Sequence, residues 1–265
     1  MLQGSAYPVR HEDNYAQFRD ILQRSNENYL PKQNMSNYQQ WAEQQIMSCS
    51  FTHYFSQAEK DYFFDHIKIK HYFNGQTIYR RQEMCHEIVF VLKGTIKMSW
   101  NTEEGRHVIH KFIPSGILLN IIYFMSGTQF EHDYVAHEAT VVAVISGQVF
   151  QQLLKQNSQV LYQVFDMICK RNRLLDNDLY HRNTQDLRSQ LARQFIYLME
   201  SFSSQTQADV MKLNIRISQE NFAELLNVSR KTIKKELIWF VEQGIIETRY
   251  NQIYITDANQ LKTLI

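Results

Sequence analysis

The chain has 265 residues, 44% of them hydrophobic, and its 28 lysines and arginines nearly balance 27 aspartates and glutamates for a net charge of +1. That length supports one large or two ordinary domains with a sizeable core, and the near-neutral balance excludes a uniformly charged chain, so any attraction for a polyanion must come from a local cluster. The sequence does not open on a positively charged segment followed by an apolar stretch, and its longest apolar run, Ile117 to Met125, is interrupted by Asn120 and too short to span a bilayer; the expectation is a cytoplasmic protein with no membrane partner.

Residues 1–50 are polar and rich in Gln and Asn, with weak amphipathic patches at Tyr15, Phe18, Ile21 and Leu22 and a short helical stretch at Trp41–Ile46. They read as an extension that packs on the main body or on a partner subunit, with disorder over part of it as the alternative. From Gln57 to Ile67 the spacing predicts a helix with Tyr62, Phe63 and Ile67 inward. Between Gly75 and Gly147 the character changes: glycines at 75, 94, 105, 116, 127 and 147 punctuate runs rich in Val, Ile, Phe and Tyr, as in an all-β roll. The predicted strands are Thr77–Tyr79, Ile88–Leu92, Thr95–Met98, Val108–Phe112 and Ala139–Ile145.

Cys49, Cys85 and Cys169 are scattered and odd in number, which argues against a disulfide framework and fits a reducing compartment. Their spacing does not supply an iron–sulfur cluster, and they read as small buried hydrophobes. His107 and His110, and His132 and His137, likewise lack the spacing of a His/Glu metal site and read as surface or structural histidines.

From about Ser158 to Arg182 the pattern is helical. Leu161, Phe165, Ile168, Asn172, Leu175 and Leu179 alternate spacings of four and three, a heptad seam with an asparagine at one a position. A parallel two-helix dimer explains it, Asn172 fixing register at some expense in stability; a helix buried in its own domain is the alternative. A second stripe, Val160, Val164, Met167 and Leu174, is expected to pack back onto the β-rich region. Thr184 or Ser189 is expected to begin the next helix, with Leu191, Phe195, Ile196, Leu198 and Met199 inward.

The stretch Ile217–Leu237 reads as a helix, a tight turn and a second helix. Ser218 caps the first helix and Glu220 lies in its first turn, where the dipole favours an anion. Phe222, Leu225 and Leu226 share one face, Asn227 tolerates the left-handed conformation that ends the helix, and Val228 plugs the corner. Ser229 caps the second helix; Ile233, Leu237 and Phe240 form its buried stripe, leaving Arg230, Lys231, Lys234 and Lys235 outward against one Glu236. Such a helix suits the major groove. Gly244 closes it, and Ile245–Thr248 and Ile253–Ile255 form a hairpin through Arg249–Gln252, the wing of a winged helix-turn-helix.

The array S-Q-E-N-F-A-E-L-L-N-V-S-R-K-T-I-K-K-E-L, followed by Gly244-Ile245-Ile246 and the hairpin, resembles the C-terminal domain of the CRP/FNR superfamily of bacterial transcription regulators. E-I-V-F-V-L-K-G-T-I-K-M resembles that family's strand–Lys–Gly–strand hairpin, as does the Gly105 turn followed by a strand and Pro114-Ser115-Gly116. The resemblance covers roughly the last four-fifths of the chain. It implies an α+β fold: a jelly roll of the cyclic-nucleotide-binding type, a long dimerisation helix and a C-terminal winged helix-turn-helix. The expected domains are the extension 1–50, the roll 51–157, the dimerisation helix 158–183 and the DNA-binding domain 184–265.

The implied partners are double-stranded DNA, a second copy of the chain, RNA polymerase and an effector of unidentified chemistry; no cofactor or metal is implied. Ser218, Ser229, Arg230, Lys231, Thr232, Lys234 and Lys235 are the expected DNA contacts, on a reading helix at 229–240, and the six seam residues from Leu161 to Leu179 the expected dimer interface. Of the family's R-E-T-V-x-R reading pattern, Arg230 matches the first arginine, while Lys231 and Lys235 stand where a glutamate and a second arginine belong, so base readout differs.

The family's cyclic-AMP pocket uses a G-E-L segment and an Arg-Ser pair. Here Asn120 and Ile121 stand at the glycine and glutamate, and His132-Asp133-Tyr134 stands roughly where Arg-Ser-Ala belongs. Isoleucine cannot accept a sugar hydroxyl, and a cyclic phosphate without a cation is a poorly compensated buried charge. The expectation is a dimeric regulator, not an enzyme, that reads a pseudo-palindromic site and does not respond to cyclic AMP, switched by the angle across the 158–182 helix. A ligand-sensing protein-interaction module and a cupin-like metal protein are the alternatives.

Overall fold

The structure is a computed structural model that describes residues 35–206, 210–249 and 252–265. The chain enters through α1 (Met35–Met47), longer than the expected Trp41–Ile46, and a 3-10 turn (Ser50–Tyr54). Ala42, Ile46, Phe51 and Phe55 bury themselves in the main core, so this part of the extension packs on the chain's own body. The patches at Tyr15, Phe18, Ile21 and Leu22 lie outside the described residues. Next comes α2 (Gln57–Asp65), whose start is set by a capping box: the Ser56 hydroxyl accepts from Glu59 N–H and the Glu59 carboxylate accepts from Ser56 N–H at 2.7 Å. Phe63 and Ile67 are buried and Tyr62 is half-buried.

The roll is two antiparallel sheets. One has the order β1 (Lys68–Tyr72), β7 (Thr140–Ser146), β3 (Glu87–Lys93); the other runs β2 (Thr77–Tyr79), β6 (Asp133–Ala136), β4 (Ile96–Asn101), β5 (His107–Ile113). The period-2 alternation of β3 and β7 divides between two cores. Val89, Val91, Val142 and Val144 face the second sheet, meeting Ile96, Ile113 and Tyr134. Ile88, Phe90, Leu92, Val141, Ala143 and Ile145 face the helices, which is why both strands read as unbroken apolar runs. All five expected strands are present; β1 and β6 are additional. Gly94, at φ 86°, joins β3 to β4 where a Cβ would lie 2.6 Å from Ala139 O. Gly147 has a different role from the turn glycines: it opens a helix at a point where a Cβ would lie 2.4 Å from the Phe124 ring.

A short helix, α3 (Ile121–Ser126), interrupts the roll, and α4 (Gly147–Gln156) leads to the 27-residue α5 (Ser158–Thr184). Asn157 caps α5, accepting from Gln159 and Val160 N–H, while its amide donates to Tyr54 O and to Glu59, tying the long helix to the α2 capping box. Val160 and Val164 are buried on the roll and Met167 packs against the same core, as expected; Leu174 is half-buried but outside that cluster. The next helix, α6 (Leu187–Phe202), is capped by Asp186, whose carboxylate accepts from Ser189 N–H at 2.8 Å, and not by Thr184 or Ser189. A carboxylate there also opposes the helix dipole, an advantage that neither hydroxyl has. The five residues expected to face inward are all buried, and Ala192, Tyr197 and Phe202 join them in the same core.

The C-terminal part adds β8 (Ser203–Gln205), β9 (Met211–Leu213), α7 (Gln219–Leu226), α8 (Arg230–Glu242), β10 (Ile246–Arg249), β11 (Gln252–Ile255) and α9 (Ala258–Lys262). The hairpin therefore belongs to a four-stranded sheet of order β10-β11-β9-β8.

The roll and the C-terminal domain share a joint. Ile109 and Phe112, on the outer face of β5, belong to the same core as Phe195, Phe222 and Phe240. Around it the Tyr197 hydroxyl donates to Phe112 O at 2.5 Å, the Lys111 ammonium sits 4.4 Å over the Tyr197 ring, His107 Nδ1 lies 2.9 Å from Glu224 Oε1, and His137 Nε2 lies 2.8 Å from Arg216 O.

Candidate nucleic-acid interface

Two local capping motifs shape the reading element. Ser218 accepts from Asn221 N–H and the Asn221 side chain accepts from Ser218 N–H, both at 3.1 Å, so the box is completed by asparagine. Asn227 ends α7 at φ 56°, ψ 43°, in the left-handed region, and its N–H donates to Ala223 O. Ser229 then accepts from Thr232 N–H at 3.1 Å and starts α8. Phe222, Ala223 and Leu225 are buried with Ile233, Leu237 and Phe240, while Leu226 and Val228 pack at the edge of the same core. These contacts fix the angle between the two helices.

The outward face of α8 carries what the sequence puts there. Ser229, Arg230, Lys231, Thr232, Lys234 and Lys235 are all exposed, as is Ser218 at the start of α7. Among the described residues, none of the four cations comes within salt-bridge distance of a carboxylate. The acid on the same helix is paired elsewhere: Glu236 accepts from Arg188 Nε at 2.9 Å, and the Arg188 guanidinium lies 3.8 Å over the Trp239 ring. Arg188 was not singled out by sequence reasoning, because its partner lies 48 residues away. In the wing, Arg249 engages both oxygens of Glu247 at 2.7 and 2.6 Å and lies against Tyr254; wing residues 250–251 lie outside the described residues.

The seam on α5 is brought together on one side of the helix. Leu161, Phe165, Leu175 and Leu179 are exposed, Phe165 at 61% and Leu179 at 60%, and Asn172 is exposed between them. Ile168 differs: it is half-buried and packs against the roll core, at the border between seam and second stripe. Exposed leucines and a phenylalanine at heptad spacing form an apolar stripe that the described residues leave uncovered.

In the roll, three of the positions that the resemblance aligns with a cyclic-nucleotide pocket are buried core side chains. Asn120 is 0% exposed: its Oδ1 accepts from Val89 N–H at 3.0 Å and its amide donates to Glu87 O at 2.5 Å. Ile121 is 0% and Tyr134 2% exposed. Tyr134 packs edge-on to Phe130, which stacks on Tyr79 at 4.6 Å, and the Tyr79 hydroxyl donates to Glu87 Oε1 at 2.5 Å. Burial, reinforced by that carboxylate, pushes the Tyr79 phenol far up.

His132 bonds the Tyr123 hydroxyl at 3.1 Å and its ring lies 5.2 Å from His110 and 5.1 Å from Trp100. Burial, followed by the charges of His132, Arg182 and Lys111, holds His110 down to about 4, and burial also lowers His132. The sequence carries no arginine between Arg106 and Arg171, yet α5 brings Arg171 close enough for its charge to act on Tyr134 and Cys49.

The cysteines are free thiols with three different surroundings. Cys85 is buried and Cys49 half-buried, its thiol pushed up to about 12 by burial. Cys169 is exposed, contrary to its reading as a buried hydrophobe, because the helical phase places it beside the seam and away from the roll. His107 and His137 prove to be joint residues, paired with groups at Glu224 and Arg216.

Comparison with known proteins gives the same two-part division. The cyclic nucleotide-binding domain family matches residues 69–157, and the Crp-like helix-turn-helix domain matches residues 189–264. The cAMP-activated global transcriptional regulator CRP of Salmonella typhimurium is 21% identical over 196 residues, covering 74% of this chain and 92% of that protein. Among solved structures, FixK2 from Bradyrhizobium japonicum superposes with a TM-score of 0.63 at 18% identity, over 75% of this chain and 96% of that one. The c-di-GMP responsive global regulator CLP of Xanthomonas campestris superposes with a TM-score of 0.62 at 16% identity, over 76% and 100%. With both domain families in the expected order along one chain, and regulators of one kind as relatives and structural neighbours, the protein belongs to the CRP/FNR superfamily of transcription regulators.

Proposed function

We propose that the protein is a homodimeric, cytoplasmic transcription regulator, not an enzyme, that reads a pseudo-palindromic DNA site with the 229–240 helix and does not use cyclic AMP as its effector. The observation that carries this reading is the outward face of α8, where four cations stand exposed and, among the described residues, beyond salt-bridge distance of any carboxylate, on the second helix of a winged helix-turn-helix. Arg230 is the candidate for bidentate readout of a guanine; Lys231, Lys234 and Lys235 act as point-charge donors to bases and phosphates, and Ser218, Ser229 and Thr232 as hydroxyl donors to the backbone. Two copies joined along Leu161, Phe165, Ile168, Asn172, Leu175 and Leu179 present two such helices to successive major grooves about one helical turn apart. In this division the roll is 51–157, the dimerisation helix 158–183 and the DNA-binding domain 184–265.

Cyclic AMP activates the Salmonella relative by name. In this chain the positions that the resemblance assigns to the nucleotide's glycine, glutamate and phosphate partners are Asn120, Ile121 and the His132-Asp133-Tyr134 segment that leads into β6, and Asn120, Ile121 and Tyr134 are all engaged in core packing or core hydrogen bonds. A sugar hydroxyl placed there displaces Ile121 and finds no acceptor on it. The effector, if the roll takes one, has other chemistry. RNA polymerase is a further partner of the proposed regulator.

The test of the DNA reading is affinity against salt. Replacing Lys234 and Lys235 by Ala is expected to weaken duplex binding at least tenfold and to reduce the slope of log affinity against log salt by about 2 per subunit, roughly 4 for the dimer, close to one per phosphate contact removed. An unchanged slope contradicts the assignment.

A further inference from the structure

We propose that Arg188 is a positioning residue of the reading helix. It draws the Glu236 carboxylate against α6 and away from the DNA-facing side. The proposal rests on α8 being the DNA-contacting helix.

The geometry is specific to the start of α6. Arg188 is its second residue, two positions after the Asp186 cap. Its Nε donates to Glu236 Oε2 at 2.9 Å while the guanidinium plane covers Trp239 at 3.8 Å, so one side chain grips two residues that are neighbours, three apart, on the same face of α8. The Glu236 side chain is only 13% exposed, whereas Arg188 is 37% exposed. On the other side of the same turn, the Gln190 amide donates to Arg182 O at 3.1 Å and to Gln185 O at 2.9 Å, fastening α6 to the last turn of α5. The bonds run from α5 through Gln190 to α6 and through Arg188 to α8.

The charge arrangement gives Arg188 a second effect. At about 100° per residue, Glu236 lies on one flank of the buried Ile233/Leu237/Phe240 stripe and Arg230 with Lys234 on the other. Thr232 is one turn before Glu236 and faces the same side. A carboxylate released from Arg188 can swing over Thr232 toward Lys235, adding a negative charge where phosphates are to bind. Held by Arg188, it is neutralised and turned inward.

The experiment measures affinity of the full chain for a duplex enriched from a random pool, at 50 and 300 mM salt, for wild type, Arg188→Ala, Glu236→Gln and the double variant, with melting temperatures beside them. We expect Arg188→Ala to bind about tenfold more weakly at low salt and about twofold at high salt, where a loose carboxylate is screened. Glu236→Gln stays within about twofold of wild type, and in the Arg188→Ala background it restores binding to its own level. Should Arg188→Ala not fold, Arg188→Gln and Arg188→Lys carry the same comparison. Equal binding by Arg188→Ala and wild type overturns the proposal. So does an equal, salt-independent loss in both single variants and the double, which is the result of a simple brace. A wild type that enriches no duplex overturns the DNA reading, and this proposal with it.

Discussion

The proposed reading helix α8 and the interior of the roll belong to the same superfamily architecture, but their side chains are disposed in opposite ways, outward in one and into the core in the other. On α8 the functional groups project from a helix whose position is fixed by a separate buried stripe, so Lys231 and Lys235 stand at the family's Glu and Arg positions without disturbing Ile233, Leu237 or Phe240. In the roll, the groups that would meet a nucleotide are themselves part of the packing: Asn120, Ile121 and Tyr134 are at most 2% exposed. A surface site can change its specificity residue by residue, whereas an interior site that loses its polar lining is filled by core. In the proposed reading, the same fold supports a contact face on α8 and, in the roll, core packing where the resemblance places a nucleotide.

The sharpest way to break that contrast lies between the two regions, on α5. Charging the seam with Phe165→Glu and Leu179→Glu is expected to convert the dimer to monomers in sedimentation and to weaken binding to a symmetric duplex by more than ~100-fold, since two linked half-sites become separate. Melting temperature should change little, because both residues are exposed in the single chain. A dimer that survives both charges places the subunit contact elsewhere.

Inside the roll the effect should fall on stability. Asn120→Ala removes the acceptor for Val89 N–H and the donor to Glu87 O, leaving buried backbone groups unpaired, at a cost of about 2–3 kcal/mol. Chemical denaturation measures it, and a loss under ~0.5 kcal/mol would mean that Asn120 is free to serve a ligand.

The smallest effect is one of pH. His110 titrates at about 4 in the folded chain against an ordinary 6.5, so protons favour the unfolded state. Its contribution is complete above about 6.5 and is lost as pH falls toward 4. Between pH 7 and 5 this amounts to roughly 1–2 kcal/mol. His110→Gln should flatten the fall by that amount; an unchanged profile removes His110 from the account.

The legible parts of the molecule were those written in local chemistry. Ser218, Asn227 and Ser229 mark the limits of α7 and α8 because each satisfies backbone groups a few residues away. The runs of β3 and β7 are apolar on both faces, whereas β1 (Lys-Ile-Lys-His-Tyr) and the three-residue β8 and β9 are too polar or too short to stand out. The exposed cationic face of α8 and the apolar stripe of α5 could be listed from helical phase, except that phase alone did not show Ile168 turning toward the roll. Contacts between distant segments were not legible: Arg188 with Glu236, His107 with Glu224, and Arg171 beside Tyr134 join residues with no shared local pattern. The Asp186 cap was missed for a nearer reason, because Thr184 and Ser189 offered competing hydroxyls on either side.

The most direct test of the central claim is selection from a random duplex pool by the full chain, with and without cyclic AMP. The account predicts enrichment of one two-fold-symmetric motif, its half-sites about one helical turn apart, with the same affinity in both conditions. Enrichment only when cyclic AMP is present would contradict it, showing that Asn120, Ile121 and Tyr134 yield to a nucleotide after all.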